Sequence, residues 1–83
     1  MTQRLNQNEY FKSSDLALCA TLCYFGYSIE SIDKTNPAKS LFLIKRDDKL
    51  DDLIKGFWSH QLKVEPSAFF NCIKELKNRI FNA

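Results

Sequence analysis

Glycine and proline are scarce in this chain, two of each, which excludes a fold built from many tight turns and favours a few regular elements. Histidine is scarcer still. His60 stands alone, so ordinary acid–base chemistry has few candidates besides carboxylates. The sequence holds no paired histidines, no nucleophile beside a base and no glycine-rich phosphate loop. The expectation is a protein that is not an enzyme and carries no cofactor. Long apolar runs are also missing: none approaches the roughly 18 residues of a membrane span. The polar start MTQRLNQNEYFK lacks the apolar region of a secretory signal. Nor does one sign of charge dominate. Twelve Lys and Arg against ten Asp and Glu leave a net charge of +2, too mild a balance to announce nucleic acid by itself. Cysteines number three, an odd count, and Cys19 and Cys23 stand four apart within an apparent helix, where disulfide geometry is poor. Reduced thiols in a cytoplasmic protein are the simplest reading.

What is present suffices for a core. Hydrophobic residues make up 45% of 83 positions, seven of them Phe, which argues against disorder and for one small domain. The clearest element closes the chain. In VEPSAFFNCIKELKNRIF, Pro66 suits the first helical position and Glu65 the N-cap. Val64 and Phe69 then occupy the two places of a hydrophobic staple. Phe69, Ile73, Leu76 and Ile80 form an apolar stripe with Cys72 beside it.

From the beginning, residues 1–10 read as a flexible polar tail and 11–83 as the domain. Ser13 or Ser14 caps a first helix, with Asp15 in its first turn. From Leu16 to Phe25 nearly every residue is apolar, and Gly26 ends the helix. YSIESID and SLFLIKR read as two strands around the turn at Asn36 and Pro37, although Ile32 breaks the alternation of the first. Asp47 or Asp48 caps the next helix, whose stripe is Leu50, Leu53, Ile54, Phe57 and Trp58. Gly56 inside it costs about 1 kcal/mol relative to alanine, tolerable where the backbone packs close to something. The expected fold is α+β: helix, β-hairpin, helix, helix, with the helices packed on a two-stranded antiparallel sheet.

The pattern resembles a known family. The sequence has Phe11, Ser14 and Asp15 opening an apolar helix that ends in Gly26 and Tyr27. Phe57 and Trp58 end an acidic-capped helix, then come Val64, Glu65 and Pro66, then Glu75, Leu76, Lys77, Arg79 and Ile80. This is similar to a small bacterial and phage-associated domain family of unknown function. The resemblance implies the fold and supplies no catalytic residue; it leads one to expect glycine at position 60, where this chain has His60.

Candidate chemistry is sparse. Cys19, Cys23, Cys72 and His60 add up to a Cys₃His set, but a Cys pair inside a helix is a poor zinc knuckle, and buried thiols are the better reading. Asp47, Asp48, Asp51 and Asp52 resemble a metal site, yet a helix N-terminus attracts the same residues electrostatically. Two surfaces carry more weight. Leu18, Leu22, Tyr24 and Phe25 of the first helix offer a partner or self-association surface. Lys39, Lys45, Arg46, Lys63, Asn71, Lys74, Lys77 and Arg79 would form a nucleic-acid face if the second strand lies beside the closing helix. The expected function is an adaptor or regulatory module acting by protein contact, with nucleic-acid binding as the alternative and no membrane partner.

Overall fold

The computed structural model describes residues 9–36 and 38–82. In chain order it contains β1 (Tyr10–Ser13), α1 (Leu16–Tyr24), β2 (Ile29–Asp33), β3 (Leu41–Lys45), α2 (Leu50–Trp58) and α3 (Pro66–Asn82). The α+β class holds, but the expected two-stranded sheet does not. Among the described residues a strand precedes α1, and it pairs antiparallel with β3, giving a three-stranded order β1-β3-β2. Of the expected polar tail, residues 1–8 lie outside the described residues, whereas Tyr10 already belongs to β1.

The central place of β3 accounts for its unbroken apolar run, since both of its edges are paired. Phe42 and Ile44 are buried beneath the helices. Phe11 and Ile29 flank Ile44 in register, and Ser13 and Ile32 flank Phe42. Leu41, Leu43 and Lys45 alternate to the other face, as the two-residue period of a strand requires. An irregularity between Ile29 and Ser31 sets two steps of β2 against one of β3. This bulge resolves the broken alternation of the sequence: with one extra residue at Glu30, Ile29 and Ile32 reach the same face although they are three apart.

Helix α1 is the centre of the molecule. It packs most extensively on α3, then on α2, and also on β1. Leu18, Cys19, Ala20, Thr21 and Leu22 are all buried, which is what an all-round apolar helix demands. The buried hydroxyl of Thr21 donates to the Ala17 carbonyl at 2.8 Å. The N-cap is Asp15, not Ser13 or Ser14: its carboxylate accepts the Leu18 N–H at 3.1 Å, while Ser13 ends β1 and its hydroxyl accepts the Asp15 N–H. At the other end, Gly26 (φ 104°) donates to the Cys23 carbonyl and Tyr27 to that of Leu22. These two bonds make a Schellman closure, and the left-handed step falls on glycine as expected.

Helix α2 ends in the same closure, but there His60 takes the left-handed position, with φ 62°. His60 donates to the Phe57 carbonyl and Gln61 to that of Gly56. Gly56 has a packing reason to be glycine, since a Cβ there would stand 2.8 Å from Leu62 Cδ2. Helix α3 begins as the sequence predicts. The Glu65 carboxylate accepts the N–H groups of Ala68 at 2.8 Å and Ser67 at 3.1 Å, and Pro66 opens the first turn. Leu76 of α3 and Leu50 of α2 complete the core around Leu22, Phe42 and Ile44.

Candidate functional site

The first helix supplies less surface than its composition suggests. Leu18 and Leu22 are only 2% and 0% exposed, so the core has taken them and no partner can reach them. The surplus apolar surface is absorbed because α1 is covered by α2, α3 and β1 together. Tyr24 is half-buried, and its hydroxyl accepts the Glu65 N–H at 3.0 Å, tying α1 to the start of α3. Phe25 alone stays open, 39% exposed, with its ring edge-on to Tyr24 at 5.1 Å.

Phe25 stands at the wall of a cleft of about 970 Å³. Gly26, Tyr27 and Ser28, Lys45 at the end of β3, and Asp52 and Leu53 of α2 line it with Phe25. Charge in the cleft is balanced: Lys45, Arg46 and Lys49 face Glu30, Asp47 and Asp52. Part of it is already engaged. Arg46 pairs with Asp51 at 2.6 Å and lies 5.7 Å over the Phe11 ring. Asp47 accepts the N–H groups of Lys49 and Leu50 and so holds the turn that leads into α2, whose own N-cap position, Lys49, has no side-chain capping bond. Asp47 also accepts the Tyr27 hydroxyl. That bond, aided by the two N–H groups, holds the Asp47 carboxyl below its ordinary range. Burial, reinforced by Asp47, pushes the Tyr27 phenol up to about 12. Among the described residues, Lys45, Lys49, Glu30 and Asp52 make no ion pair. The free groups are thus two cations, two anions and a phenyl ring. Such a lining suits a partner with amides and both signs of charge better than a polyanion.

The expected basic face is divided. Arg79 and Lys34 bind α3 and β2 to one another, through the Ile29 carbonyl at 3.3 Å and the Ile80 carbonyl at 2.9 Å. β2 therefore stands between the end of α3 and β3, and Lys45 at the end of β3 and Arg46 after it do not join the lysines of α3 in one strip. Arg79, though exposed, is engaged at the Ile29 carbonyl, and Arg46 is paired. Lys39 lies in the β2–β3 loop, where its N–H closes a turn on the Asn36 carbonyl; Pro37 of that loop lies outside the described residues. Lys63, Asn71, Lys74 and Lys77 are exposed, and Lys74 sits 5.3 Å over the Phe70 ring.

The thiol set does not converge either. Cys19 is buried, and its S–H donates to the Ser13 carbonyl. Cys23 and Cys72 share a smaller cavity of about 250 Å³ between α1 and α3, while His60 is exposed at the end of α2. Among the described residues, no three His, Cys, Asp or Glu side chains are placed to hold a metal ion. Burial raises all three thiols, Cys19 to about 12 and Cys23 to about 11. They are therefore protonated, unreactive groups at neutral pH.

A family model described as Domain of unknown function (DUF5659) matches residues 8–82. The chain belongs to the DUF5659 family. Among curated proteins and among solved structures nothing matches. The residues that carried the resemblance in the sequence have structural duties in this DUF5659 domain: Asp15 and Glu65 cap helices, Gly26 turns the chain, and Arg79 holds a strand carbonyl. No helix among the described residues is long and apolar enough to cross a membrane. The cleft itself was missed from sequence. Its lining comes from three separate segments, and only the exposed Phe25 after an apolar helix hinted at it.

Proposed function

We propose that this DUF5659 chain is a small, non-catalytic adaptor or regulatory module of the cytoplasm that acts through protein contact, seating a partner in the cleft beside Phe25. One observation carries the reading: a phenyl ring left 39% exposed on the wall of a charge-balanced cleft of about 970 Å³. A monomer gains nothing by leaving that ring in water, whereas aromatic anchors in pockets dominate protein interfaces. A phage-like or mobile-element setting is part of the proposal and rests on the sequence resemblance.

Nucleic-acid binding is the second reading, favoured by the open Lys74 and Lys77 beside Phe70. Two lysines neutralise few phosphates, and affinity for a polyanion scales with that number. Fluorescence titration with a short duplex and a single strand at two salt concentrations discriminates the readings. Protein contact predicts weak binding to both. Tight binding that falls steeply with salt, and is lost in Lys74→Ala/Lys77→Ala, would reverse the ranking.

A further inference from the structure

Helix α3 has a third face that neither the core nor the cleft uses. At 100° per residue, Phe70, Lys74, Lys77 and Phe81 fall within about 60° of arc, well away from the buried Leu76 side. Both rings are open, Phe70 at 57% and Phe81 at 79% exposure, and both lysines are exposed. The rings stand about 16 Å apart along the axis, from the rise of 1.5 Å per residue. Glu75, the one acidic residue of α3, points away from this arc by the same geometry. The face is therefore two apolar anchors with two lysines between them that, among the described residues, meet no carboxylate, Lys74 lying over the Phe70 ring.

Self-pairing does not satisfy it. A twofold packing that buries both rings of this face on its copy sets the lysines of one helix against those of the other, and like charges at an interface are repulsive. A polyanion would meet the lysines but leave two phenyl rings with little apolar cover. The complement is a segment with carboxylates in the middle and apolar side chains at both ends. On the protein-contact reading above, we infer that this face of α3 docks an acidic amphipathic segment of a partner protein. Phe70 and Phe81 take its apolar side chains, and Lys74 and Lys77 take its carboxylates. Helix-on-helix docking of this kind is read through anchors at such spacings.

The test uses a short synthetic helical peptide with two leucines at the spacing of Phe70 and Phe81 and glutamates between them. A second peptide replaces each glutamate by lysine. Anisotropy of the labelled peptides is measured against the full chain, with an oligothymidylate and anionic phosphatidylglycerol vesicles as competing probes. The glutamate peptide should bind and the lysine peptide should not. Lys74→Glu/Lys77→Glu should weaken the glutamate peptide about tenfold, since ion pairs become repulsions, and should admit the lysine peptide. Phe70→Ala/Phe81→Ala should weaken both combinations. Lys55→Glu reverses one charge on α2, half the change of the double variant, and should leave binding intact. All these side chains are exposed, so circular dichroism should show a native fold in each variant. No binding of the glutamate peptide, equal loss in Lys55→Glu, or preference for the oligonucleotide or the vesicles would overturn the inference. The cleft is tested separately from position 25, so failure here does not decide its fate.

Discussion

Replacing Gly56 with alanine sets helix propensity against packing, and the structure says which wins. In a solvent-facing helix the change would stabilise by about 1 kcal/mol. Here the new Cβ would lie 2.8 Å from Leu62 Cδ2 and 3.1 Å from Leu62 Cγ, too close for Leu62 to keep its place. Overpacking of this kind costs about 1–3 kcal/mol, so Gly56→Ala should destabilise by roughly 1 kcal/mol net. For a domain of this size that lowers Tm by about 4–8 °C. Leu62→Ala alone should cost about 1–2 kcal/mol, less than a fully buried leucine because Leu62 is half-buried. In the double variant the clash is gone and the helix gain returns, so Gly56→Ala should then stabilise the Leu62→Ala background. Denaturant unfolding of the four proteins gives the coupling directly, expected at about 1–3 kcal/mol. A Gly56→Ala protein more stable than the parent, with no coupling to Leu62, would refute the packing argument.

His60→Gly should raise stability by about 0.5–1 kcal/mol, because the left-handed closure of α2 no longer carries a side chain that disfavours it; a thermal melt checks this. Glu65 is held below its ordinary pKa by the N–H groups of Ala68 and Ser67. Its contribution is therefore present above the unfolded carboxyl pKa and lost as pH falls through the folded value. The difference in Tm between the parent and Glu65→Gln should accordingly shrink between about pH 5 and pH 3. The three thiols should react slowly with a disulfide reagent in the native protein at neutral pH and quickly once unfolded, since burial raises each of them.

Local signals were the legible ones. Glu65 and Pro66 marked the start of α3, and Gly26 marked the end of α1, because caps depend on residues within a turn of one another. The hairpin of β2 and β3 was readable for the same reason. β1 was not, since four residues, YFKS, become a strand only through pairing with β3 some thirty positions later. The cap of α1 shifted from Ser13 or Ser14 to Asp15 in consequence, because Ser13 was already committed to the sheet. Composition marked α1 as apolar on every side, and only the placement of α2, α3 and β1 around it decides that Leu18 and Leu22 are core. The basic residues show the same limit. Nothing in the sequence distinguishes Arg79, which holds the Ile29 carbonyl, from Lys74 and Lys77, which face solvent.

The claim that this domain works by protein contact at the Phe25 cleft is tested most directly by light-induced crosslinking in the cells that produce it. A photoreactive phenylalanine analogue placed at position 25 lies on the cleft wall. The same analogue at position 12, exposed on β1 and outside the cleft lining, serves as the control. A discrete protein adduct is expected from position 25, absent from position 12 and competed away when the unlabelled chain is overproduced. Adducts to nucleic acid, or the same pattern from both positions, would contradict that claim.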